Sequence, residues 1–499
     1  MKRLMFPVLA ALGLSGCVVG PDYARPPLAP GASGPLAEAP QTPPAGAPAS
    51  LLPDRWWRLY DDPVLDRLIA EALAHNTDIR VAAANLRRAR AVLAEQRGQR
   101  LPTITPGAQV TRNQFNSASA AAFGGGSGGG AGGGTGPQTF DVNLFDLGVD
   151  ASYELDLFGG ISRTIEAGRG DAESAAATLD AARVSVAAET ARAYATACTN
   201  AAQAAVAQET VDLQQKTLGL TQTLFDAGRG TRRDVERADV LLAQTQAQLP
   251  LLDAEKRAAL YALATLTGRP PAEVDADASR CSAAPRVRIT IPTGDGAALL
   301  ARRPDVRSAE RTLAADTARI GVAVSALYPS IRLAGSIGFN ATRGSQLLRA
   351  TSATYSFGPL ISWNFPNQTA ARAQIAQARA GADASLARFD GAVLTALREA
   401  ETALARYAGA LDRNAALLRA EQASSKAATL SRLRFDTGAD SFLQLIQAER
   451  ERADTRAARA ASDAAVADAQ ITLFKALGGG WEEAPEPVRR PDPAQTPVP

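Results

Sequence analysis

Apolar and polar residues alternate without a break from Phe145 to Leu157. Phe145, Leu147, Val149, Ala151, Tyr153, Leu155 and Leu157 make one face. Asp146, Gly148, Asp150, Ser152, Glu154 and Asp156 make the other, which is polar and largely acidic. Period two over this length predicts a strand with two unlike faces. Ile331, Leu333, Ile337 and Phe339 alternate in the same way with Arg332, Ser336, Gly338 and Asn340. Tyr355, Phe357, Ile361, Trp363 and Phe365 alternate with Ser356, Gly358, Ser362 and Asn364, and a weaker version sets Ile104, Ala108 and Val110 against Thr105, Gln109 and Thr111. The predicted strands are about 103–115, 139–157, 330–341 and 353–366. A soluble sandwich accounts for the alternation alone, but strands of this length with a charged opposite face fit a membrane barrel with a wet lumen better.

Elsewhere the spacing is helical. Val235, Ala238, Leu242, Thr245, Leu249, Leu252, Ala259, Leu263 and Leu266 fall on one heptad seam. Leu445, Ala448, Arg452, Thr455, Arg459, Ser462, Val466, Ala469, Leu473 and Ala476 fall on another. Such seams pack against neighbouring helices, and their small and polar members predict tight contact or a face lining water. Pro250 interrupts the first seam and should kink or break that helix. Residues 162–225 and 370–434 read as helical throughout, each roughly 95 Å long at 1.5 Å per residue.

These elements recur. Phe225-Asp226-Ala227-Gly228 returns 210 residues later as Phe435-Asp436-Thr437-Gly438, and Ala238 and Gly268 fall on Ala448 and Gly478. Each copy reads helix, strand, strand, long helix, long helix. The unit is far longer than a solenoid repeat and implies internal pseudo-two-fold symmetry. The first copy carries a glycine run, Phe123 to Pro137, that the second lacks. It reads as a loop tip, and its glycine spacings carry no phosphate-loop meaning without a flanking strand and helix start.

Lys2 and Arg3 precede a short apolar stretch, Leu4 to Leu14, and Leu14-Ser15-Gly16-Cys17 closes it. The stretch is too short to span a bilayer, so it reads as a signal peptide. Its end resembles the bacterial lipoprotein box, which makes Cys17 the lipidated N-terminus, and Val18 in place of aspartate points outward from the inner membrane. Residues 18 to about 52 and the tail from Glu482 to Pro499 are rich in proline and alanine and read as extended segments without a core. The divisions are a signal peptide (1–16), a lipidated extended segment (17–60), a first repeat (61–270), a connection (271–302), a second repeat (303–480) and a tail (481–499).

Alanine makes up about a fifth of the 499 residues, which suits closely packed helices. A formal net charge of +2 gives no electrostatic case for nucleic acid. The one histidine, His75, reads as a surface or capping residue, so multi-histidine metal sites are excluded and His-dependent triads lose support. Asp146, Asp150, Glu154 and Asp156 could be offered as acid–base carboxylates, but strict two-residue spacing reads as a solvated lumen face. No catalytic residue, metal or cofactor is expected, apart from the covalent lipid.

Four strands cannot close a barrel in lipid, where unpaired edges are not tolerated, so copies of the chain must share one. Physics alone gives a pore with a helical extension, not the number of subunits. The residues Trp56-Trp57-Arg58-Leu59-Tyr60-Asp61-Asp62-Pro63 with Leu65 and Leu68, and Arg302-Arg303-Pro304-Asp305-Val306 with Ala309-Glu310, resemble the TolC-like outer membrane factors. The likeness is to their lipoprotein branch, the outlets of resistance-nodulation-division efflux systems. That resemblance implies an α+β membrane protein and a homotrimer. It also implies a twelve-stranded β-barrel in the outer membrane, a long α-helical barrel across the periplasm and an equatorial belt. It further implies a passive duct served by a periplasmic adaptor and an inner-membrane pump. The alternatives are a type I secretion outlet, against which lipidation at Cys17 argues, and a periplasmic coiled-coil adaptor with no pore, against which the strands argue.

By the same resemblance Cys198 lies at the tube's waist and Cys281 in the belt. A Cys198–Cys281 bridge is therefore expected in an oxidising compartment, with two buried free thiols as the alternative. Gly228 and Gly438 are expected at hairpin turns, with Thr231 and Ser441 capping the returning helices. The resemblance makes these turns the periplasmic tip. It puts Asp234, Arg237, Gln444, Gln447 and Arg450 at the gate, with Asp234 and Arg237 also able simply to pair along one helix.

Overall fold

The computed structural model describes residues 18–38, 53–116, 139–287, 291–292 and 294–488. Cys17, the signal peptide and the glycine run lie outside the described residues. The helices of the first half are α1 (Pro63–His75), α2 (Thr77–Gly98), α3 (Gly160–Asp226), α4 (Arg232–Gln246) and α5 (Gln248–Leu266). Strands β1 (Thr103–Asn116) and β2 (Thr139–Leu155) fall between α2 and α3. Short helices α6 (Ala276–Ser279) and α7 (Gly296–Arg302) lie in the connection. The second half runs α8 (Pro304–Ser325), β3 (Ser330–Ala341), β4 (Ala353–Ser362), α9 (Thr369–Asp436) and α10 (Phe442–Ala476). The chain divides into two compact units, described in turn.

The first unit comprises residues 1–24, 89–172 and 312–385. Its sheet has the order β1-β2-β3-β4, every pair antiparallel. Two strands are shorter than the alternation predicts. β2 ends at Leu155, and Asp156 leaves the strand to accept bonds from the N–H groups of Ile161 (3.0 Å) and Ser162 (2.8 Å), capping α3. β4 ends at Ser362, opposite Ser330, the first residue of β3. Pro329 just before it carries no N–H to extend the ladder. Trp363 and Phe365 therefore lie beyond the sheet, stacked at 4.6 Å.

The residues after Cys17 are held rather than loose. Arg163, 4% exposed in its side chain, donates to the carbonyls of Val19 and Gly20 and to Asp22 (2.6 Å), and pairs with Glu166. Gly20 has φ +94°, and a Cβ there would lie 2.4 Å from the Gly321 Cα, so no other residue fits.

The second unit comprises residues 25–88, 173–311 and 386–499. Trp56 is fully buried and stacks on Phe474 at 4.7 Å, with Tyr60 edge-on to both. Trp57 donates to Asp66 (2.8 Å), and Asp62 caps α1 while accepting from the Tyr194 hydroxyl (2.8 Å). Residues 56–60 thus belong to the core, not to an extended segment. The reason is apolar area: two tryptophans and a tyrosine are stabilised by burial far beyond what an extended chain allows. Arg303 is equally structural. Its buried guanidinium reaches Asp305, Glu399 and the Ala476 carbonyl.

Two described segments without periodicity, around residues 36–38 and 480–488, are docked in this unit. Glu401 accepts from the N–H groups of Ala37 and Glu38, and Leu36 is buried. Asp54 collects the N–H groups of Gly480, Trp481, Glu482 and Glu483. Arg307 lies 4.5 Å over the Trp481 ring, and Val488 bonds to Ala74. The described part of the tail is therefore fixed by its own backbone donors, which composition does not reveal. The interruption of the first seam comes at Ala247, between α4 and α5. Pro250 then sits in the first turn of α5, where a missing N–H costs little.

Candidate functional site: a two-faced sheet and two helix reversals

The sheet sorts its residues by face. On one face the rows Leu155–Ile331–Ile361, Tyr153–Leu333–Pro359, Val149–Ile337–Tyr355 and Leu147–Phe339–Ala353 are apolar, and many of these side chains are exposed. Ten residues separate Leu155 from Phe145. At 3.3 Å per residue and a barrel-like tilt, that band is about 25 Å tall, the height of an outer-membrane barrel's apolar belt. The opposite face carries Glu154 paired with Arg332 (3.0 Å), Asp146 accepting from Asn340 (2.6 Å), and the row Thr105–Asp150–Ser336–Ser356. Asp150 has no partner among the described residues. One face suits lipid and the other water.

The reversals lie in the second unit. α3 ends in Gly228 at φ +71° and α9 in Gly438 at φ +81°. In each the glycine N–H bonds three residues back, Gly228 to Phe225 and Gly438 to Phe435. The next N–H reaches five back, Arg229 to Leu224 and Ala439 to Arg434. These are two Schellman turns, identical in pattern. Nothing lies within 4 Å of a Cβ built on either glycine, so the backbone angle, not space, selects it.

The returning helices start in reciprocal caps. Thr231 Oγ1 accepts from the Asp234 N–H, and Asp234 Oδ2 accepts from the Thr231 N–H (3.2 Å) and hydroxyl (2.6 Å). Ser441 and Gln444 repeat this, with Gln444 Oε1 2.7 Å from the Ser441 N. Asp234 closes a cap instead of pairing with Arg237, and no ion pair joins those two among the described residues. The signals Thr231-x-x-Asp234 and Ser441-x-x-Gln444 stood in the sequence and identify both boxes. Arg237 and Gln447 are exposed. Arg450 pairs with Asp454 (3.9 Å) beside a cavity of about 410 Å³ lined by Leu241, Thr245, Ala453 and Ala457.

A buried ionic group close to the second reversal carries no sequence signal except that one partner, Arg452, stands on the seam. Glu449, 1% exposed, lies 3.3 Å from Arg432 of α9 and 2.7 Å from Arg452 one turn on. Arg432 also donates to Thr217 of α3 (3.4 Å), so one guanidinium ties three helices. Arg459, the other basic seam residue, pairs with Asp463, which Arg286 of the connection also contacts. Higher in the unit, Cys198 and Cys281 are joined, with Sγ atoms 2.05 Å and Cα atoms 5.0 Å apart, tying the connection to α3.

Comparison with known proteins decides the family. The family model for the outer membrane efflux protein matches residues 68–269 and 297–479. The chain belongs to the outer membrane efflux protein family. It is similar to nodulation protein T of Rhizobium leguminosarum bv. trifolii, 29% identical over 94% of this chain and 96% of that one. It is also similar to the solvent efflux pump outer membrane protein SrpC of Pseudomonas putida, 30% identical over 96% and 99%. Among solved structures, the outer-membrane channel OprN aligns with a TM-score of 0.84 and 36% identity, covering 93% of this chain and all of that one. As an outer membrane efflux protein the chain serves in the outer membrane as the channel of an efflux system. Its fold is α+β of the TolC-like kind.

Proposed function

We propose that three copies of this chain form a passive duct for small organic molecules. Each gives four strands to a twelve-stranded barrel and its long helices to a tube below, arranged with internal pseudo-two-fold symmetry. The observation that carries this reading is the sheet itself. It has an apolar band about 25 Å tall, an acidic reverse face, and, among the described residues, β1 and β4 as unpaired edges. Edges of that kind are tolerated in lipid only when another copy pairs with them. The matched reversals at Gly228 and Gly438 support a repeat whose turns form the gate and the seat of a periplasmic adaptor, with an inner-membrane pump supplying energy. A lipid on Cys17 adds a membrane anchor.

A relative named as part of a solvent efflux pump favours small apolar cargo over a secreted polypeptide. The role needs no catalytic residue. The test is native mass spectrometry of the detergent-extracted protein with planar-bilayer recording. Trimers that conduct ions are expected; a monomer without conductance overturns the reading.

A further inference from the structure

The alternation along β2 reverses at one point. From Phe145 to Leu155 the odd residues are apolar and the even ones polar, but before Phe145 the even residues Val142 and Leu144 are apolar and Asp141 and Asn143 are polar. A bulge would absorb such a change by turning the strand over. There is none here: the β1–β2 register runs unbroken through Val110–Phe145, Thr111–Leu144, Arg112–Asn143, Asn113–Val142 and Gln114–Asp141. The face that is apolar below becomes Arg112, Asn143, Gln114 and Asp141, with an Arg112–Asp141 ion pair (2.6 Å). The face bearing Asp146 and Asp150 acquires Leu144 and Val142, both half-buried. Neither β3 nor β4 follows: β3 ends at Ala341, opposite Phe145.

The inversion has a direct physical reading. Where the sheet leaves lipid, its outer face meets water and must be polar. Branched aliphatic side chains on the inner face are then favourable only against other apolar groups. Around a closed ring, the surface facing them is the same pair of rows on the other copies. We propose that the projecting β1–β2 hairpins converge through Leu144 and Val142 on the hairpins of neighbouring copies. They would make an apolar constriction at the external mouth, above the acidic barrel lumen. Such a ring resists water and ions by dewetting, and apolar cargo passes it most readily. This rests on the trimeric duct proposed above.

A reporter thiol inside the barrel tests it. Ser336→Cys places one in the row of Asp150, below the constriction, and a charged, impermeant thiol reagent is added only to the outside of intact cells. In the reporter alone labelling should be slow. Leu144→Asp with Val142→Asp should speed it at least tenfold, Leu144→Trp should slow it, and Arg112→Ser on the outer face should leave it unchanged. Equal rates in all four backgrounds overturn the constriction. Native mass spectrometry of each variant separates the two levels. Trimers with equal rates sink this proposal alone, whereas monomers sink the duct with it.

Discussion

The Oε1 atom of Gln444 accepts a 2.7 Å hydrogen bond from the backbone N–H of Ser441. The side chain that the family resemblance places at the gate thus spends its acceptor inside its own helix cap, as Asp234 does with Thr231 in the other half. At these two positions a proposed gate role overlaps a capping role, and substitutions must be chosen to part them.

Asp234→Asn keeps an acceptor oxygen for the cap and removes the charge, so helix α4 should persist while cation preference falls and leak rises. Gln447→Asp adds a charge at an exposed position outside the cap and should strengthen block by cations. Planar-bilayer reversal potentials measure both, and values unchanged in the two variants would show that neither residue lines the gate. Ser441→Ala removes the cap itself and should cost about 1 kcal/mol of local helix stability, seen as faster amide exchange at the start of α10.

Gly438 stands at φ +81° with open space around it. Gly438→Val should therefore cost on the order of 1–2 kcal/mol through the backbone alone and leave a membrane-inserted protein. We expect that protein to lose efflux, because the turn is altered where the adaptor is proposed to bind. Wild-type drug tolerance in cells carrying it would refute the assignment.

The Cys198–Cys281 bond closes a loop with a sequence separation of 83. In the chain-entropy picture that is worth ~4–5 kcal/mol. Denatured, unreduced protein should show no reactive thiol at either position, and reduction should lower the thermal midpoint. Two labelled cysteines before reduction would contradict the bond.

Glu449 is surrounded by Arg432 and Arg452 with almost no exposure. Glu449→Ala removes the carboxylate that Arg432 and Arg452 share. Because Arg432 is 37% and Arg452 20% exposed, water screens the two cations, and the cost should fall below the roughly 3–5 kcal/mol of a fully buried set. Asp239→Ala, at the matching place in the first half, where no such pair forms among the described residues, should be nearly neutral. Similar melting temperatures for the two variants would show that the buried group contributes little.

Arg67 donates to both oxygens of Asp275 and, with the N–H groups of Asp277 and Ala278, lowers its carboxyl pKa to about 2. A depressed pKa stabilises the fold above the ordinary carboxylate range, and the contribution fades as pH falls towards 2. It amounts to about 2 kcal/mol. Asp275→Asn should flatten the loss of stability between pH 4 and pH 2, a range set by those two pKa values. An unchanged acid limb would count against it.

Local pattern alone determined much of this protein. The strand faces, both long helices, the break near Pro250, the two glycine reversals and their Thr231 and Ser441 caps follow from rules acting within a few residues: period two, period 3.5, a missing N–H, a positive φ. Interactions between distant segments had no such signature. Asp156 lies on the parity of the strand's wet face, yet it caps α3, because the donors it meets belong to the next element. Residues 18–38 and the tail to 488 are proline-rich and without periodicity. They are nevertheless held by Arg163, Glu401 and Asp54, each of which gathers backbone groups that only the folded chain brings within reach. Arg452 and Arg459 look like flaws in a seam until Glu449 and Asp463 arrive beside them. Sequence fixes what each segment prefers by itself; which buried charge or unpaired N–H meets which partner depends on distances that exist only after folding.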